Sequence, residues 1–167
     1  MKITDDTPMM SNAEIKIIDD LLDEHKPKFC LEWGSGNSTV YFPSKHPFIK
    51  HWLAVEHNGH YVRYLESILP DNASVIWVDQ EWYIDSVKLG RKFDFIFIDG
   101  QDREECLDEA MRMLNPNGFI LLHDSGRPEY QGFIQRHKGT KLSEGEVPLK
   151  NGGFAHRGLT IFFKEGQ

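Results

Sequence analysis

Four short apolar runs in this chain each end in a carboxylate: residues 29–31 lead into Glu32, 52–55 into Glu56, 75–78 into Asp79 and 93–98 into Asp99. Runs of that length suit strands, and stretches of helical period separate them, so the chain reads as alternating β and α elements. Such alternation builds a mostly parallel sheet with right-handed crossovers. Open sheets of this kind take ligands beyond the carboxyl ends of their strands, so the four acids belong on one rim.

The intervening segments carry their own signals. Ser11-Asn12-Ala13-Glu14 has the form of a capping box, and Ile15, Ile18, Leu21 and Leu22 follow at helical spacing, which predicts a helix over about 11–25 before Pro27. A second helix starts at Asn37 and is expected to end near Phe42, because Pro43 and Pro47 follow. A third runs through Tyr61, Tyr64, Leu65, Ile68 and Leu69 up to Pro70, and a fourth through Cys106, Leu107, Ala110, Met111 and Leu114. Residues 80–91 read as loop with a short helical piece. Residues 115–118, Asn-Pro-Asn-Gly, read as a turn before a strand at 119–122. An irregular helical stretch at 128–137, a strand within 139–147 and another at 159–163 complete the chain. The run at 93–98, interrupted only by Asp94, predicts burial on both faces at the sheet centre.

At 167 residues the chain suits one domain, 1–167, with a sizeable core. Hydrophobic residues at 40% and charged residues at 27% describe a globular protein. The net charge of -7 argues against broad nucleic-acid binding, which needs cations to neutralise phosphates. The best local basic patch would comprise Arg127, Arg136, His137, Lys138 and Lys141. Cys30 and Cys106 lie within apolar patterns and are expected to be buried, reduced thiols. The first ten residues lack a secretory pattern and no run is long enough to span a membrane, so the expectation is a cytoplasmic protein. Whether copies associate into a homo-oligomer is left open.

Chemistry concentrates after the first run, at Glu32-Trp33-Gly34-Ser35-Gly36-Asn37-Ser38-Thr39. Two glycines let the backbone turn and approach a ligand, and the amides of the incoming helix supply donors. Glu32 repels a pyrophosphate and suits an ammonium or sulfonium centre. Glu56 stands about 22 residues beyond Gly34, the distance at which an acid reaches ribose hydroxyls. The plainer alternative makes Glu56 a cap for the helix that starts near Asn58.

That string, together with residues 93–100 and 118–124, resembles the class I S-adenosylmethionine-dependent methyltransferases, in particular a small bacterial branch similar to O-methyltransferases. The resemblance implies a Rossmann-like, doubly wound, mostly parallel seven-stranded sheet with helices on both faces and an antiparallel last strand, 159–163, inserted before its predecessor. It implies that Glu32 to Thr39 hold the methionine part of S-adenosylmethionine and Glu56 the ribose. His57 would pack on the adenine, Asp79 and Gln80 would meet its edge, and Asp99 would complete the cofactor set. Trp82 is available to cover the base.

On the acceptor side the resemblance implies Asp99, Asp102 and His123 as catalytic residues, with either Asp102 or His123 as the base. Asp102 could instead cap the helix from Arg103. In metal-dependent relatives acids after the fourth and fifth strands bind a divalent ion such as magnesium, and Asp99 and Asp124 fit two such places. His123 and Ser125 stand where a further ligand would be expected. Two other readings compete with methyl transfer: a non-catalytic cofactor-binding protein, and a nicotinamide-dependent oxidoreductase whose third glycine would fall at Thr39.

Overall fold

The structure is a computed structural model that describes residues 7–87, 90–148 and 154–164. It opens with α1, Asn12–His25, and the capping box forms as the sequence predicts: Ser11 Oγ accepts from the Glu14 amide while the Glu14 carboxylate accepts from the Ser11 amide at 2.9 Å. Lys26 ends the helix in the left-handed region, one residue before Pro27. Then follow β1 (Phe29–Trp33), α2 (Asn37–Lys45), β2 (His51–Glu56), α3 (Gly59–Leu65), β3 (Ala73–Trp77), β4 (Phe93–Ile98), α4 (Arg103–Met113), β5 (Leu114–His123), α5 (Gln131–Arg136), β6 (Thr140–Pro148) and β7 (Phe154–Phe163). Two short 3-10 turns, Gln80–Trp82 and Asp85–Val87, lie in the predicted loop.

The strands form one seven-stranded sheet in the order β3-β2-β1-β4-β5-β7-β6. Strands β1 to β5 pair in parallel, and β7 runs antiparallel between β5 and β6. This is the Rossmann-like doubly wound sheet with its inserted last strand. Strand order reverses between β1 and β4, which opens a crevice at their carboxyl ends.

β4 shows why the sheet centre lies there. Its alternate residues face opposite sides: Phe95 and Phe97 join Ile18, Leu22, Phe42 and Trp52, whereas Ile96 and Ile98 join Leu31, Leu107, Ala110 and Leu122. All four of these β4 side chains are fully buried, each contributing about 1.5–3 kcal/mol of burial free energy. Cys30 and Cys106 are buried and unpaired with each other, and burial pushes both thiols up.

Three local expectations need correction. α2 does not end at Phe42. Pro43 forgoes one backbone bond, but the ladder resumes with the His46 amide on the Phe42 carbonyl at 3.0 Å, carrying the helix to Lys45. α3 is shorter than its apolar spacing suggests, because the Ser67 and Ile68 amides turn back three residues to Tyr64 and Leu65 and tighten the chain out of the α form. Residues 115–118 do not separate a helix from a strand; they bulge within β5. Between the pairs Phe93–Leu114 and Phe95–Phe119 the chain advances two residues on β4 and five on β5. Asn115 Nδ2 pins the bulge to Asp94 Oδ1 at 2.7 Å. No helix among the described residues is long and apolar enough to cross a membrane.

Candidate active site

The loop after β1 is built around two glycines that do different work. Gly34 has φ +88, and a Cβ there would stand 2.7 Å from the Gly100 Cα and N, so the loops after β1 and β4 touch backbone to backbone at the crevice. Gly36 is extended, and a Cβ there would meet only Ser38 Oγ and Tyr61 Oη at 3.8 Å. Gly34 is required by its neighbours. Gly36 leaves open space above the loop.

Glu32 ends β1 beneath that loop and is fully buried. Its carboxylate accepts from Ser38 Oγ, from Thr39 Oγ1 at 2.7 Å and from Trp52 Nε1 at 2.7 Å. Thr39 Oγ1 in turn accepts from the Gly36 amide at 3.0 Å, so one carboxylate pins the turn to the first residues of α2. Burial raises the Glu32 carboxyl to about 7 against the three bonds that favour its charge. Trp33 is also buried and donates from Nε1 to the Tyr83 carbonyl at 3.2 Å. Asn37 Nδ2 reaches away from the loop to the Thr7 carbonyl at 2.6 Å.

Glu56, at the end of β2, faces the same turn. Its Oε2 accepts from the Ser35 amide at 3.2 Å and Ser35 Oγ at 2.9 Å, and its Oε1 accepts from the Asn58 amide at 2.8 Å. Asn58 caps α3 with its own side chain, accepting from the His60 and Tyr61 amides, so Glu56 is not that helix's cap. His57 packs edge-on to Tyr83 at 5.9 Å. Asp79 is exposed, starts the first 3-10 turn without a side-chain cap bond, and stands beside Gln80 and the exposed Trp82. Gln80 Nε2 donates to Asp102 Oδ2 at 2.7 Å, which ties the end of β3 to the end of β4.

The two base candidates therefore part company. Asp102 occupies the N-cap position of α4 in the left-handed region, but its carboxylate makes no cap bond; it is exposed and held by Gln80. His123 is buried in a charged cluster between β4, β5 and β7. Its Nδ1 lies 2.8 Å from Asp99 Oδ1, and its Nε2 is a buried atom without a hydrogen-bond partner among the described residues. Burial disfavours the imidazolium, yet Asp99 close by, with Asp124 and Glu14, outweighs it and raises the His123 pKa. Burial likewise works against the Asp99 carboxylate, and His123, Arg103 and Arg157 overcome it and lower its pKa.

Arg103 is the site residue that sequence reasoning passed over. It is buried at the start of α4, donates from Nε to the Gly100 carbonyl at 2.8 Å and from Nη1 to the His123 carbonyl, and reaches Asp99 Oδ1 at 3.2 Å from Nη2. A cation in the first turn opposes the helix dipole, and that local cost was the available signal of a tertiary role. Asp124 is held from both sides, by Arg127 Nη2 at 3.0 Å on Oδ2 and Arg157 Nη1 at 3.3 Å on Oδ1. Ser125 Oγ accepts from Thr160 Oγ1 at 2.9 Å inside the core. One ligand atom each from Asp99, His123 and Asp124 falls within 4.8 Å of the others. Of the residues that a local basic patch would comprise, Arg127, Arg136, His137 and Lys141 pair with Asp124, Glu104, Asp108 and Glu144.

A glycine turn backed by a buried acid, a second acid at the end of β2 and a charged pair of strand ends at a topological switch point coincide with residues 31–125, which match a family model described as a methyltransferase domain. The chain belongs to the methyltransferase domain family. The methyltransferase fold extends beyond the matched residues. A protein assigned as an O-methyltransferase from Klebsiella pneumoniae superposes with a TM-score of 0.72 at 18% identity, over 98% of this chain and 84% of its own. The precorrin-6y C5,15-methyltransferase from Geobacter metallireducens GS-15 gives 0.62 at 17% identity, over 91% and 88%. The N-methyltransferase NodS from Bradyrhizobium japonicum WM9, in complex with S-adenosyl-l-homocysteine, gives 0.58 at 16% identity, over 93% and 89%. No curated protein matches the chain.

Proposed function

We propose that this methyltransferase uses S-adenosylmethionine to methylate a hydroxyl oxygen on a small molecule, with His123 as the base. The observation that carries the reading is the Asp99–His123 pair: the carboxylate fixes Nδ1 at 2.8 Å and leaves a buried Nε2 free to take a proton. S-adenosylmethionine supplies a methyl group on a sulfonium that leaves as neutral thioether. The chain aligns the acceptor for in-line attack and accepts the hydroxyl proton at Nε2, so that the new O–C bond forms as the C–S bond breaks.

The cofactor-side residues fit that ligand. The open space at Gly36, the amides of Ser35 to Thr39, and Glu56, held by Ser35 of the same loop, offer donors and a diol-sized carboxylate acceptor. Asp79, Gln80 and Trp82 are exposed beyond β3 for the adenine, with His57 beside them. Trp33 and Glu32 act from below: the Glu32 carboxylate positions the turn through its own three donors. Asn37 supports the loop through Thr7. Thr39, where the nicotinamide alternative needs a third glycine, keeps its hydroxyl between Glu32 and Gly36.

The convergence of Asp99, His123 and Asp124 supports a second reading, a magnesium-type ion held by Asp99 and Asp124. Against it, both Asp124 oxygens already face arginines and Asp99 faces His123 and Arg103, so an added dication would meet three guanidinium groups. The metal-free dyad is favoured. Turnover of hydroxylated acceptors in the presence of a chelator, with formation of S-adenosylhomocysteine, tests it. Activity that disappears with the chelator and returns with magnesium or manganese selects the metal, and cofactor binding without turnover of any acceptor selects the non-catalytic alternative.

A further inference from the structure

The acceptor half of the rim is cationic in a protein that is acidic as a whole. Arg103, Arg127 and Arg157 surround two carboxylates, Asp99 and Asp124, so guanidinium groups outnumber the acids they face. Arg157 also forms part of the wall of a cleft of about 470 Å³, whose apolar lining comes from Met9, Met10 and Ala13 at the start of α1. That volume lies in the range of small-molecule sites.

The acids of the cleft are already engaged. Glu14 accepts from the Ser11 amide and hydroxyl and from the Gly158 amide, and Glu144 is paired with Lys141 at 2.8 Å. Arg157 is therefore a cation of the cleft that its pairing leaves only partly neutralised, since among the described residues its carboxylate partner, Asp124, is shared with Arg127. The cleft also adjoins the reacting centre. Arg157 touches Asp124, and Asp124 Oδ1 lies 3.9 Å from His123 Nε2. On its other flank the segment carrying Met9 is tied to the cofactor loop by the Asn37–Thr7 bond.

We infer that this cleft receives the methyl acceptor and that the acceptor is a small apolar molecule with an oxyanion at one end, a carboxylate or a phosphate. The hydroxyl faces His123, the oxyanion pairs with Arg157, and the apolar body lies on Met9, Met10 and Ala13. This inference rests on the reading of the rim as a methyl-transfer site and adds the acceptor's chemical class.

The test titrates the full chain, with and without S-adenosylhomocysteine, with 3-(4-hydroxyphenyl)propanoate, its uncharged amide, and the corresponding propyl phosphate. One anionic probe is expected to bind about tenfold or more tightly than the amide, the scale of a charge-assisted hydrogen bond. Whichever of the carboxylate and the phosphate binds more tightly identifies the oxyanion. Arg157→Gln should abolish the preference, Arg157→Lys should keep most of it, and neither should move S-adenosylhomocysteine affinity. Met9→Trp, at an exposed position, should weaken all three probes by filling the cleft. Equal affinity for the acids and the amide, a preference that survives Arg157→Gln, binding indifferent to Met9→Trp, or no binding at millimolar probe would each overturn the inference. If S-adenosylhomocysteine itself fails to bind, the methyl-transfer reading falls, while the anion preference still decides the nature of the cleft.

Discussion

The two halves of the rim are made in opposite ways. The proposed cofactor half centres on a loop pinned mostly by its neighbours in sequence, with Trp52 and Glu56 of β2 added: Glu32 holds Ser38 and Thr39, and Thr39 holds Gly36, all within eight positions. The acceptor half joins Asp99 and Arg103 to His123, Asp124 and Arg157, residues brought together by β5 and by the insertion of β7. The first half places a buried carboxylate among neutral donors. The second places charges of both signs in contact. A short loop can be specified by local hydrogen bonds, whereas a charge cluster needs the sheet to hold like charges apart and unlike charges together.

The largest effect should come from the point where the halves touch. Gly34→Val would put a branched side chain in the left-handed region against the Gly100 backbone, at a cost of about 3 kcal/mol or more. Thermal unfolding should show the loss together with abolished S-adenosylhomocysteine binding. Gly36→Ala, in extended backbone with open space, should stay within about 0.5 kcal/mol of the parent. Equal damage from both would erase the distinction between the glycines.

On the acceptor half, His123→Asn should lower turnover by about 10²–10⁴-fold with S-adenosylhomocysteine affinity unchanged. The parent's rate should rise with pH, because the pair with Asp99 raises the pKa of His123 and only the neutral imidazole accepts the proton. A flat pH–rate profile would remove His123 from the reaction.

The cofactor half should respond to pH in stability. The Glu32 carboxyl sits at about 7 in the folded protein, above its ordinary 4.5, so the folded state holds a proton that the unfolded chain releases. Its contribution is fully present below 4.5, is lost as pH rises to about 7, and is constant above, a change of about 3 kcal/mol. Denaturant titrations should show that slope in the parent and its absence in Glu32→Gln.

Glu56→Ala should weaken S-adenosylhomocysteine by about 1.5–3 kcal/mol in calorimetry while leaving α3 capped by Asn58. The smallest effect is expected for Asp102→Ala, which removes an exposed partner of Gln80 and should change stability by less than about 1 kcal/mol. A large loss of turnover there would return Asp102 to the role of base.

Much of this could be read before any coordinates. The α1 capping box, the buried β4, the acid-ended strands and the glycine turn all follow from residues a few positions apart, where period and side-chain chemistry leave few conformations. Two of the three local errors share one cause. Pro43 and Asn115-Pro116-Asn117-Gly118 are strong local stop signals, yet α2 runs through the one and β5 bulges at the other, because the packed sheet outweighs a single lost backbone bond.

The amino-acid order by itself determined the alternation of elements, the acids near the strand ends and the glycine turn after Glu32. Only the tertiary structure decided that Asn58 rather than Glu56 caps α3, that Asp102 and His123 stand apart, and that Arg103 and Arg157 answer the two aspartates. The reason is range. Backbone and neighbour interactions act over a few residues and leave a trace in the sequence, while the pairing of charges from separate strands depends on strand order, register and burial, which exist only once the sheet has closed around them.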